Sequence, residues 1–89
     1  MNKLTLRDAE REISFKHDFD AGNLAGFWEP DFAAYHVASY QTIIATFVDT
    51  KGWTVNTNKY SPTTTKHQTI VLRAIARTLE AYRDPEIAA

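Results

Sequence analysis

The order of hydrophobic patterns predicts an α+β domain of two layers. An antiparallel sheet of three to four strands should carry a short N-terminal helix and a long C-terminal helix on one face. Three observations carry this. Leu6, Ala9 and Ile13 recur at helical spacing near the start. Residues 34–60 consist mostly of alternating and β-branched runs. From Ser61 onward, apolar residues return at helical spacing behind a strong start signal. A chain of 89 residues holds a single domain, 1–89, with a frayed tail from about residue 85.

The first helix is expected over Leu4 to Glu12, opened by a capping box of Thr5 with Asp8. Ile13, Phe15, His17 and Phe19 then alternate with Ser14, Lys16 and Asp18, which is the period of a strand. Gly22, Asn23, Gly26 and Pro30 punctuate residues 20–32, so this segment reads as a loop. Its Phe27, Trp28 and Phe32 either pack across one end of the core or present an aromatic patch to a partner.

Strands are expected at Ala34 to Tyr40, Thr42 to Asp49 and Trp53 to Tyr60. Asp49-Thr50-Lys51-Gly52 suits a hairpin turn with Gly52 in the left-handed conformation. That turn sets Asp49 opposite Trp53, Phe47 opposite Val55 and Ala45 opposite Thr57, with Ile43, Ala45, Phe47 and Val55 facing the core. Ser61-Pro62 supplies an N-cap and a first helical residue. The long helix runs to Arg83 on a stripe of Val71, Leu72, Ile75, Leu79 and Tyr82, and Asp84-Pro85 ends it.

Composition narrows the chemistry. The chain has no cysteine, which excludes disulfides and thiolate metal sites and favours a reducing cytoplasm. No apolar run is long enough for a membrane span, and the polar start does not read as a signal peptide. Net charge is −1. Residues 1–50 hold four basic and eight acidic side chains, whereas residues 51–89 hold six and three. The halves either neutralise one another in the fold or give the protein two electrostatic faces.

His17, His36 and His67 sit in different elements without metal-ligand spacing, so no metal site is expected. Ser39 beside His36 or His67 would make a possible nucleophile pair, but no nucleophile-elbow sequence accompanies it. The three glycines are too scattered for a phosphate loop. No catalytic residue, cofactor or small-molecule substrate is therefore expected.

Tyr60 to Gln68 is the informative segment. Three threonines suit a first helical turn, where hydroxyls meet orphan N–H groups. Lys66 and His67 oppose the positive end of the helix dipole, and such a mismatch often marks function. Lys66, Ile70, Arg73 and Arg77 form one helical stripe. Thr63, Thr65, Lys66, His67, Arg73 and Arg77, with Phe27 and Trp28, are the candidate partner-binding residues. The plainer reading is a threonine-capped helix with a solvated face.

The run Tyr60-Ser61-x-Thr63-Thr64-x-Lys66-His67-Gln68, with Ser39-Tyr40-x-Thr42-x-Ile44-Ala45 and Ile13-Ser14-Phe15 upstream, resembles small proteins of bacteriophages and other mobile elements. Pro62 and Thr65 depart from that pattern, as does Gln41 where a glycine is usual. The resemblance brings no catalytic residues. It implies a protein that binds and blocks a host protein complex, anti-CRISPR proteins being one such kind. The expected function is therefore non-catalytic binding of a host protein. The alternative is nucleic-acid binding by a basic helix face, because the helix–strands–helix order also resembles double-stranded-RNA-binding domains.

Overall fold

The computed structural model describes residues 5–78 and 82–83. Helix α1 spans Leu6–Ser14 and opens on the expected capping box. The Thr5 hydroxyl accepts the Asp8 N–H at 3.2 Å, and the Asp8 carboxylate accepts the Thr5 N–H at 3.4 Å. Ala9 and Ile13 are buried and Leu6 is partly buried, so the predicted face is the packed one. The helix continues two residues past Glu12, and the alternation from Ile13 to Phe19 is not a strand. Ile13 ends the apolar face of α1, and Lys16 turns the chain in the left-handed region at φ 57°. Strand β1 is only Phe19–Asp20.

Residues expected to form a loop instead supply β2, Leu24–Glu29, followed by a 3-10 turn at Pro30–Phe32. β2 pairs along its whole length with β3, Ala34–Ser39. β4, Thr42–Val48, and β5, Gly52–Val55, complete an antiparallel meander in chain order. The sheet thus has five antiparallel strands rather than three to four.

Helix α2 spans Pro62–Thr78, not 62–83. Tyr82–Arg83 forms a short sixth strand, β6, parallel to β5. Parallel pairing follows because α2 acts as the crossover between β5 and β6. Tyr82 is therefore a strand residue, not part of the helical stripe. Leu79, the Asp84-Pro85 stop and the tail lie outside the described residues.

The β4–β5 turn has Gly52 at φ 78°, as predicted, and the Lys51 N–H donates to the Val48 carbonyl at 2.9 Å. The register differs by two residues: Phe47 faces Trp53 and Ala45 faces Val55. An even offset keeps every side chain on its expected face. A bulge between β3 and β4 does not. Val37 pairs with Ala45 but Ala38 pairs with Ile43, so Ile44 is the extra residue. Ile44 and Ala45 are both buried, and Ile43, expected in the core, is 41% exposed on the other face.

Both helices lie on one face of the sheet. α1 packs on β1 and β2, α2 packs on β3 and β5, and the helices pack on each other. Between them and the sheet lies one core, centred on Tyr35, Val37, Trp53, Val55, Val71 and Ile75. The Tyr35 and Trp53 rings meet edge to face at 6.1 Å. Phe27, His36, Ile43, Thr46 and Thr54 lie on the opposite face, which neither described helix covers. Among the described residues, no helix is long and apolar enough to cross a membrane.

Candidate functional site

The start of α2 divides into an inward and an outward half. Ser61 caps the helix, its hydroxyl accepting the Thr64 N–H at 3.2 Å. Thr64, His67 and Gln68 then point to the sheet, as spacing of three and four residues requires. The fully buried Ser39 hydroxyl lies 2.7 Å from His67 Nδ1 and 3.0 Å from the Thr64 hydroxyl. Gln68 Nε2 donates to the Asn56 carbonyl at 2.6 Å and to the Asn58 carbonyl at 3.0 Å. The inward residues thus tie α2 to β3 and to the segment that follows β5.

His67 is only 2% exposed, so it leaves the set of surface candidates and joins the core. Its pKa is lowered, first by burial and then by the neighbouring Lys66 charge. A neutral imidazole accepting from Ser39 suits that site. The Ser39–His67 contact foreseen as a possible nucleophile pair does form, but Ser39 presents no surface from which its hydroxyl could reach a substrate. Among the described residues, no group of three or more His, Asp or Glu side chains could hold a metal ion.

Thr63, Thr65, Lys66, Arg73 and Arg77 are exposed, as a partner surface requires. Lys66, Arg73 and Arg77 line a groove of about 610 Å³ between α1 and α2. Thr69 and Ile70 contribute from α2, and Leu6, Arg7 and Glu10 from α1. Ile70 does not share the solvent-facing stripe of its basic neighbours; it is buried and forms apolar floor with Leu6. Arg77 and Glu10 join the two helices at 3.2 Å. Arg7, Lys66 and Arg73 form no ion pair with a described residue. The α1 contribution escaped the sequence reading, although Leu6 and Glu10, four residues apart, mark one side of that helix.

Phe27 and Trp28 do not form one aromatic patch. As neighbours on a strand they project to opposite faces. Trp28, 39% exposed, lies on the helix side, where its Nε1–H donates to the Lys16 carbonyl at 2.7 Å and its ring packs 5.5 Å from that of Tyr35. Phe27, 38% exposed, lies on the open face 5.5 Å from the His36 ring. His36 in turn contacts Glu29 at 3.1 Å and the Thr46 hydroxyl at 2.9 Å. The side chain of Phe32 is outside the described residues.

No curated protein and no solved structure matches the chain. A family model matches residues 5–84, which takes in every helix and strand of the described residues. The chain belongs to a family of unknown function, DUF8033.

Proposed function

We propose that the protein is a non-catalytic binding module that attaches to a host protein or protein complex through the α1–α2 groove and thereby inhibits or modulates it. The observation that carries this reading is the groove itself. Three cations without an acidic partner among the described residues, Arg7, Lys66 and Arg73, surround the partly apolar floor of Leu6 and Ile70. Exposed cations of this kind can make charge-assisted contacts with a partner without first breaking an ion pair. Such a local concentration of positive charge is selective in a chain whose net charge is −1. The resemblance to small mobile-element proteins supports a host target and, within that class, an anti-CRISPR-like role.

The test is retention of host protein by a tagged chain, compared with a Lys66→Glu/Arg73→Glu variant. Both side chains are exposed, so the variant should melt with the wild type. Retention by the wild type and its loss in the variant is the expected result. Equal retention by both would remove the groove from the binding surface.

A second reading is nucleic-acid binding through a basic set of Lys51, Lys59, Lys66, His67, Arg73 and Arg77, from which the buried His67 drops out. The observation favouring it is the placement of both helices on one face of an antiparallel sheet, with a basic stripe on the last helix. A gel-shift salt series separates the readings, because phosphate contacts give a slope of about −0.9 per phosphate neutralised on B-form DNA. Absence of binding to any duplex at low salt would dispose of this alternative.

A further inference from the structure

We infer that the groove takes an acidic amphipathic helix of the partner protein, and that Glu10 occupies one of the ligand's carboxylate positions in the free protein. This rests on the reading of the groove as the binding surface and goes on to name its ligand.

Charge and polarity together select the ligand. The rim of Arg7, Lys66 and Arg73 calls for carboxylates or phosphates. The floor of Leu6 and Ile70 calls for apolar side chains, which a phosphate backbone does not offer. An extended acidic strand would need an open sheet edge for its backbone, whereas this groove is walled by helices whose own backbones are hydrogen-bonded. A helix with one acidic and one apolar side supplies both requirements and satisfies its backbone internally.

The spacing agrees. Lys66 and Arg73 are seven residues apart on α2, about 10 Å along its axis. Carboxylates seven residues apart on a second helix repeat that distance, with apolar residues at the intervening three- and four-residue steps. α1 has nine residues and is about 13 Å long, so it walls a seat for two to three turns.

Glu10 shows how a carboxylate docks there. It reaches across from α1 and holds Arg77 at 3.2 Å. An incoming carboxylate at that end would exchange with Glu10 for the same guanidinium. Glu10 therefore acts against the ligand twice, by occupying Arg77 and by placing a negative charge in the groove.

The experiment titrates the full chain with a fluorescent peptide of about 14 residues carrying leucine and glutamate at helical spacing. A scrambled peptide of the same composition, a version with a central proline and a DNA duplex serve as controls. Binding of the ordered peptide with a gain of helical circular dichroism is expected, and scrambling or the proline should weaken it at least about tenfold. Lys66→Glu should weaken it by a similar factor, whereas Glu10→Gln should tighten it by about threefold or more. Thermal melts of both variants confirm that they fold. Equal affinity for ordered and scrambled peptides, or tighter binding of the duplex, would overturn the helix assignment. Unchanged or weakened binding by Glu10→Gln would overturn the exchange at Arg77. Either failure leaves the groove's role standing if retention of host protein is still lost in Lys66→Glu/Arg73→Glu.

Discussion

The Ser39 hydroxyl lies 2.7 Å from Nδ1 of His67, joining the last residue of β3 to the second turn of α2 with no exposed surface on Ser39. Replacing Ser39 with alanine leaves both the imidazole nitrogen and the Thr64 hydroxyl short of a buried partner. We expect Ser39→Ala to lower stability by about 1–3 kcal/mol in urea denaturation. Lys66→Ala, next to His67 in the chain but exposed, should stay within about ±0.5 kcal/mol. A Ser39→Ala protein as stable as the wild type would show that the contact contributes nothing.

Acidification should weaken the fold through His67. Its folded pKa is lowered by burial and by Lys66, while the unfolded chain takes up the proton near about pH 6.5. Below that pH the unfolded state binds more protons, so stability falls as pH falls until the folded-state pKa is reached. The slope approaches about 1.4 kcal/mol per pH unit at most. The contribution is fully present above the unfolded pKa. Urea midpoints between about pH 7.5 and 5.5 should show this slope in the wild type and a shallower one in His67→Gln. Parallel profiles would mean that His67 titrates alike in both states.

Much of this fold can be read from local signals, and the misses have identifiable causes. Thr5 with Asp8 and Ser61 with Pro62 fixed both helix starts, because caps are set by neighbouring residues. β2 was hidden because Leu24–Glu29 contains no β-branched residue and has a glycine in its middle. The inward turn of Ile44 depends on a bulge that only the partner strand reveals. At the site, Lys66, Arg73 and Arg77 follow from helical spacing, but Arg7 and Glu10 join them only when α1 lands on α2. His67 looked like a surface cation because its partner, Ser39, lies 28 residues away.

Gly26 is required by close packing rather than by backbone conformation. A methyl group there would overlap the Tyr35 hydroxyl and the Phe19 ring. The Tyr35 hydroxyl is itself committed, donating to the His17 carbonyl at 2.7 Å, so it cannot swing aside without breaking that bond. Gly26→Ala should destabilise by about 1–3 kcal/mol. In Gly26→Ala/Tyr35→Phe the alanine should cost less, because the obstructing oxygen is gone. Additive losses in the double variant would argue against the overlap.

Gly52 is required by backbone conformation. At φ 78° it closes the turn from β4, and a β-branched side chain there is strained. Gly52→Val should cost about 1–2 kcal/mol, read as a lower thermal midpoint. Gly52→Asn should cost less, since asparagine tolerates left-handed backbone better. Equal losses for the two would point to lost space rather than strain.

The two outer strands, β1 and β6, are each two residues long. β1 pairs with Ala25 and Gly26, and farther along β2 the Trp28 N–H donates to the Asp18 carboxylate at 3.1 Å. β6 lies beside Trp53 and Thr54 of β5. Stubs of this length offer an incoming chain too few backbone groups to start a ladder. Capped by these stubs, neither β2 nor β5 stands as a long open edge for strand addition. Deleting Phe19–Asp20 should expose the six-residue edge of β2, and stronger amyloid-dye binding than that of the wild type is the expected readout.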